Sequence, residues 1–472
     1  MNARAAALAG VLAAVYALAL WARLPAVEGA SLGSDAITMF TRAWSLDWDH
    51  WPRPPNPEAG YALWLWVWPL VKVATSLKAL FTLRFAQGAL IAPLGAWAAA
   101  RLAPHNKPLA ALLAGTLLAL DPGLIDTLVV AFRGYGAPEL AALTLLALTF
   151  GPRGRLLALA SALLALGQHP YGLGVAVGAT AALLVSTRDR DERVRLLILA
   201  GVLLTPRLLR TAQLADCGQG PWVCLSTIAT GSAEPDTARL DILWRAFHDR
   251  FAVEWGPLWM MLPVGLLLAP RRDRRPWALL LVGLGAILVL GLSLSTFRSY
   301  HLRIFAAPIA ILVGAGLCRW WPLGLAALTW TTLRWAPLPP PVEDPGAPAR
   351  ADALAARLLE EPGPLWVDAA YFDRPVGLEP APIVLAALLQ GADPARFSPT
   401  PTARLALLTS DHPDANGALW AEGRYALRLF DDKAAAQRWL AQTQPPPTEV
   451  GRAADWVGML YPEEADRYAL SW

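Results

Sequence analysis

Cysteine is almost missing from this 472-residue chain, which has three, at Cys217, Cys224 and Cys318, and no CxxC pair among them. A disulfide framework and a four-cysteine zinc site are both excluded. Charge is scarce too: Asp, Glu, Lys and Arg make up 16% of the residues and hydrophobic residues 56%, whereas a soluble domain carries roughly 25% charged residues. One water-soluble globule is ruled out. No HExxH motif and no internal hydropathy repeat is present, and the C-terminal tail lacks a glycine-rich phosphate loop and a GxSxG elbow.

What is present is a series of apolar runs from Met1 to about Ala336, followed by an abrupt change of character. Residues 1–336 hold 29 Lys and Arg against 18 Asp and Glu, and residues 337–472 hold 11 against 19. The acidic tail excludes nucleic acid as a partner, because phosphate neutralisation needs clustered cations. The basic residues of the first part serve as topology signals.

The run Ala5–Trp21 follows a single Arg4. Cleavage after Ala30 would put Glu28 at the −3 position, so a retained signal-anchor helix is expected. A polar external loop over about 25–60 follows. Further apolar segments are Tyr61–Leu77, Leu80–Leu102, Leu109–Leu120, Ala137–Phe150, Leu156–Leu166, Tyr171–Val185, Val194–Leu208, Trp259–Pro270, Trp277–Ser295, Ile304–Cys318 and Trp321–Trp335. Several are shorter than the roughly 20 residues a bilayer requires, which implies tilting or half-helices in protein-lined cavities. The expected fold is a polytopic α-helical membrane protein, with about eleven to thirteen transmembrane segments over 1–336. A Pro-rich linker over 337–350 leads to a small C-terminal α/β extracytoplasmic domain over 351–472. In that tail the strand-like runs Pro364–Val367, Leu405–Thr409 and Tyr425–Phe430 alternate with the helical runs Ala351–Leu359, Ile383–Leu389 and Lys433–Gln442.

Arg188, Arg190, Arg193 and Arg195 cluster in one short loop, and Arg271, Arg272, Arg274 and Arg275 in another. The positive-inside rule makes both cytoplasmic and turns the loop at about 210–257, and the tail, outward. Counted from a cytoplasmic N-terminus, however, eight apolar segments precede Arg210, and an even number would leave that loop inside. One short segment is therefore re-entrant or merged with its neighbour. Cys217 and Cys224 lie in this loop, either as a disulfide, if it faces an oxidising compartment, or as two free thiols. Cys318, at the end of an apolar run, reads as a packing residue.

Tryptophan is abundant, with 22 residues, 17 of them before residue 337. Trp44, Trp48, Trp51, Trp64, Trp66 and Trp68 fit an interfacial aromatic belt; the alternative is that Trp44 to Trp51 line a groove for a sugar or lipid head group.

Ionisable residues near a membrane plane default to functional candidates. They are Asp35, Asp121, Asp126, Arg133, Glu139, His169, Arg298, His301 and Arg303. Asp35, in SLGSDAITMF at 31–40, is placed either to accept a proton from an attacking hydroxyl or to cap a helix. Asp121 and Asp126 read equally as helix caps or interfacial charges, and His169 in GQHPYG as a helix-break residue. Arg298 and Arg303 read as phosphate ligands or as side chains snorkelling to the interface. Asp47, Asp49 and His50 are either a metal site or a solvated group; no cofactor motif is present and a metal requirement stays open.

In its layout the chain resembles the GT-C membrane glycosyltransferases, especially the branch of protein O-mannosyltransferases and lipid A aminoarabinose transferases. The residues that carry the resemblance are Asp35 and then PNPEAGY at 55–61, DPGLID at 121–126, RGYGAPE at 133–139 and RSYHLRIFAAPI at 298–309. Ala36 stands where the branch often has a second acid beside the first. The resemblance implies a glycosyltransferase of a bacterial inner membrane, using a polyprenyl-phosphate-linked sugar and an extracytoplasmic acceptor that the sequence does not identify. It implies Asp35 as the catalytic base and Glu139 as a second acid. Arg303, with Arg298, His301 and Arg133, would hold the donor phosphate. A transporter or lipid flippase and a non-catalytic subunit on the same scaffold are the rival classes.

Overall fold

A computed structural model describes residues 3–29, 40, 43–44, 61–126, 136–168, 173–187, 189–214, 244, 248, 255, 303, 305–335, 346–360, 365–367, 380–393, 396–398, 405–409, 420–422 and 425–429. Among the described residues eleven longer helices form the bundle: α1 (Ala3–Arg23), α2 (Tyr61–Val73), α3 (Leu77–Ala89), α4 (Ile91–Leu102), α5 (Lys107–Leu120), then after the single turn α6 (Pro122–Asp126) come α7 (Ala137–Thr149), α8 (Arg155–Gln168), α9 (Leu173–Ser186), α10 (Arg190–Leu214) and α11 (Ala306–Leu317) with α12 (Trp321–Trp335). Helices α13 (Ala347–Glu360) and α14 (Pro380–Leu389) follow, with strands β1 (Leu365–Val367), β2 (Phe397–Ser398), β3 (Leu405–Thr409), β4 (Trp420–Glu422) and β5 (Tyr425–Leu429).

Helix α5 is the axis of the bundle and packs against α1, α4, α11 and α12. Its sequence, rich in Ala and Leu with Gly115, lets neighbours approach closely. Where α11 crosses it, a Cβ on Gly314 would stand 2.8 Å from the Ala110 carbonyl oxygen and 2.9 Å from the Ala114 Cβ. Only glycine fits there, the small-residue contact that helices use in lipid. α11 is buried along its entire length.

Among the described residues, two helices are long and apolar enough to cross a membrane, Ala5–Glu28 and the α3–α4 pair Leu77–Leu102. That is fewer than the eleven to thirteen spans expected from hydropathy. Helices α5, α7 and α11 are apolar but 12 to 14 residues long, or about 20 Å at 1.5 Å per residue, short of a roughly 30 Å hydrocarbon core.

Contacts between helix ends give the bundle two ends. At one, Glu28 pairs with Lys78 at 2.5 Å and Arg23 reaches the last carbonyls of α5. At the other, the Cys318 thiol donates to the His105 carbonyl at 3.4 Å, Arg101 Nε donates to Thr149 Oγ1 at 2.9 Å, and Arg155 pairs with Glu192. The end of α1 and the start of α3 therefore lie at the same end of the bundle.

The five strands form one mixed sheet in the order β2-β1-β3-β5-β4. β1 runs parallel to β2 and to β3, with Leu365 opposite Leu405, while β3 and β5 are antiparallel with Leu407 opposite Leu427. Helix α13 packs on α14 and also on α3. Its Asp352 carboxylate accepts from the Leu77 amide at 2.6 Å and the Lys78 amide at 2.9 Å. Ser76 Oγ takes the Ala79 amide at 3.1 Å, so three of the orphan donors at the start of α3 are satisfied. Asp352→Ala is expected to cost about 1–2 kcal/mol of stability, at the upper end of cap losses because the carboxylate faces a helix dipole. Amide exchange at Leu77 and Lys78 should accelerate while that at Ala79, held by Ser76, changes less.

Candidate functional site

At the Glu28 end four charged side chains are buried together. Arg23 is fully buried at the last turn of α1 and donates from Nη1 to the Ala119 carbonyl at 2.7 Å and from Nη2 to the Leu118 carbonyl at 3.0 Å. Asp121 is also fully buried and begins α6, accepting through Oδ1 from the amides of Gly123 at 3.0 Å and Leu124 at 3.2 Å. Its Oδ2 accepts from the Trp255 indole at 3.2 Å, and Trp255 in turn meets Trp335 of α12 edge-on. Arg84 of α3 is 2% exposed and Glu139 of α7 is 5% exposed; Arg84 Nη1 donates to Glu139 Oε1 at 3.2 Å. Arg23 lies close enough to feel the charges of Glu139, Asp121 and Arg84. Two cations and two anions thus balance in a region that water does not screen.

Local sequence puts Glu139 there. Gly136 caps α7 with φ +99°, in the left-handed region that other residues avoid, and a Cβ on it would overlap the indole nitrogen of Trp66. Pro138 then fits the first turn, where no intrahelical amide partner is needed, and Glu139 in the same turn meets the positive end of the helix dipole. Gln87 ties the group to α2: its Nε2 donates to the Trp66 carbonyl at 2.9 Å, and its Oε1 accepts from Arg84 Nη1 at 3.3 Å. Glu139 Oε2 and the Trp66 indole nitrogen are buried and have no hydrogen-bond partner among the described residues.

Of the candidates read from sequence, Glu139 and Asp121 fall in this cluster, and Asp121 caps a helix. Asp126 is the last residue of α6. Arg303 is buried, three residues before α11 begins at Ala306. Because Gly314 lies against Ala110 and Ala114, the start of α11 is displaced about 12 Å from that crossing, eight residues at 1.5 Å each, toward the end where Asp121 lies. Asp35, Arg133, Arg298, His301 and His169 lie outside the described residues, as do Asp47, Asp49, His50 and the pair Cys217 and Cys224. Cys318 is buried and donates to the Ala315 carbonyl at 3.0 Å. Among the described residues no cluster of three His, Cys, Asp or Glu is arranged to hold a metal ion.

Arg23 and Arg84 are not singled out by sequence. Arg23 resembles a flanking charge after an apolar run, and Arg84 sits inside one. The available signal is electroneutrality: Asp121 and Glu139, each beside apolar runs, require buried cations, and Arg84 is a charge within the run Leu80–Leu102.

No protein-family profile matches the chain, and no curated protein matches it. Solved structures do resemble it. The oligosaccharyltransferase of Archaeoglobus fulgidus, in complex with zinc and sulfate, is 14% identical with a TM-score of 0.45, covering 80% of this chain and 61% of that one. The apo form of the same enzyme is 13% identical with a TM-score of 0.45, covering 80% and 64%. The chain therefore spans less than two thirds of either structure's length. Neither is a protein O-mannosyltransferase or an aminoarabinose transferase, the branch that the sequence layout resembles, and a likeness this distant transfers no residue role and no activity.

Proposed function

We propose that this chain is a membrane glycosyltransferase that moves a sugar from a polyprenyl-phosphate carrier to an acceptor hydroxyl on the outer face of a bacterial inner membrane. The observation that carries the reading is the buried cluster of Arg84, Glu139, Asp121 and Arg23 at one end of an apolar bundle, with a carboxylate oxygen of Glu139 unengaged. Charges are not retained at such depth for stability, since apolar replacements serve that purpose as well or better. Exposed Ile198 and Val202 on α10 and Leu325 and Leu333 on α12 give the bundle an apolar outer surface suited to lipid. Arg101, Arg155, Arg193 and Arg319 belong to the end opposite Glu28, which the positive-inside rule makes cytoplasmic. The cluster and the acidic tail, as an extracytoplasmic α/β domain over 351–472, then lie outside.

In this reaction Asp35 takes the proton of the acceptor hydroxyl as its oxygen attacks the anomeric carbon. The bond from that carbon to the phosphate oxygen breaks, the anomeric centre inverts, and Arg303 with Arg298, His301 and Arg133 stabilises the departing phosphate. A lipid-linked donor accounts for the lack of nucleotide-binding motifs. Half-helices such as α2 also suit a transporter or flippase, and loss of the paired acid at Ala36 suits a non-catalytic subunit. Purified protein given radiolabelled polyprenyl-phosphate sugar separates the three: transfer or hydrolysis supports the enzyme, and translocation alone or no turnover overturns it. Asp35→Asn is expected to abolish transfer with normal expression; full activity in that variant removes Asp35 as the base.

A further inference from the structure

Two buried polar atoms beside the Gly136 turn lack hydrogen-bond partners among the described residues, and they are of opposite kind. Glu139 Oε2 is an acceptor and the Trp66 indole nitrogen is a donor. They share one framework. Arg84 holds Glu139 Oε1 and Gln87 Oε1, while Gln87 holds the Trp66 backbone carbonyl. Gly136, against which the indole lies, is one helical turn from Glu139. Leaving both atoms unmet is costly, since each loses its water on burial.

We propose that Glu139 Oε2 and the Trp66 indole N–H form a two-point receptor for one hydroxyl group of the sugar on the donor substrate. The inference rests on the function proposed above and adds to it how the sugar is read. Chemistry selects the hydroxyl. An ammonium group donates to Glu139 but has nothing to accept the indole proton, and a phosphate dianion accepts from the indole but has no proton to donate to the carboxylate. A hydroxyl donates to the one and accepts from the other. Arg84 neutralises Glu139, so the receptor is close to uncharged overall and carries no general attraction for ions. Gly136 lets the turn before α7 pack directly against the indole, since a Cβ there would come within 2.3 Å of the indole nitrogen.

The test uses the full chain in detergent micelles, the polyprenyl-phosphate hexose it transfers best, and the set of that donor's monodeoxy analogues. Trp66→Phe removes the N–H, keeps the ring and leaves the backbone bond to Gln87 intact. Glu139→Gln turns the acceptor into a donor while its carbonyl oxygen can still face Arg84. Trp66→Phe is expected to raise KM about two- to tenfold with little change in kcat, and Glu139→Gln more than about tenfold, the ratios for losing a neutral and a charged hydrogen bond. One deoxy donor should show the raised KM with the wild type and no further increase with Trp66→Phe, a dependence that a purely structural role for Trp66 does not produce. If the wild type transfers sugar and every deoxy donor is used equally well, the two atoms hold water only and the receptor is overturned while the glycosyltransferase stands. If no polyprenyl-phosphate sugar is bound or transferred, both fall.

Discussion

Replacing Arg84 by methionine is expected to destabilise the protein by about 3–5 kcal/mol, the usual consequence of removing one partner of a buried ion pair. Methionine fills much of the volume, so the loss reports charge more than packing. Without Arg84 the carboxylates of Asp121 and Glu139 face Arg23 alone within the cluster, and Gln87 loses the donor that joins it to Glu139. The double variant Arg84→Met with Glu139→Gln removes both charges and should recover more than half of the loss, since the larger penalty is the uncompensated carboxylate. Thermal unfolding in detergent, followed with the wild type and the three variants, reads the cycle; a Tm drop of roughly 5–10 °C for the single cation variant corresponds to the expected range. Equal destabilisation by the single and double variants would show that Arg84 acts by shape instead of charge.

Which parts of this arrangement can be read from sequence follows from the distance over which each signal acts. Helices α5, α7, α11 and α12 lie on apolar runs bounded by Pro, Gly or charge, and such boundaries are local. Glu139 is conspicuous for the same reason, as an acid two residues after Ala137 begins an apolar helix. The depth of a helix is not local. Tyr61–Leu77 has the composition of a spanning segment, and the Glu28–Lys78 pair, a contact across 50 residues of chain, sets the start of α3 beside the end of α1. Charge parity around Arg188–Arg195 already requires one segment to drop out, yet it does not say which. Spanning length is equally misleading, because helices 12 to 15 residues long are as apolar as full spans while their rise falls short. Arg23 is the extreme case: by spacing it belongs to the interface after Trp21, and its burial depends on the end of α5, which lies 95 residues away in the chain.

That placement makes Arg23 the second residue whose loss should be severe. α5 stops at Leu120, where Asp121 turns the chain into α6, so the last carbonyls of α5 have no following turn to accept from. The planar guanidinium takes two of them, at Leu118 and Ala119, and also the Ala19 carbonyl of its own helix at 3.2 Å. A lysine ammonium is a single point donor and cannot span two carbonyls in that fork. Arg23→Met leaves both carbonyls buried and unmet and removes a cation that balances Asp121 and Glu139, so a loss of about 3–5 kcal/mol is expected. Arg23→Lys keeps the charge and loses the fork, and should fall between the wild type and Arg23→Met. Adding Asp121→Asn to Arg23→Met should restore part of the stability through charge, and no more than part, because the α5 carbonyls stay unmet. Should Arg23→Lys unfold at the wild-type temperature, the fork carries no weight and charge alone holds the end of α5 against α1.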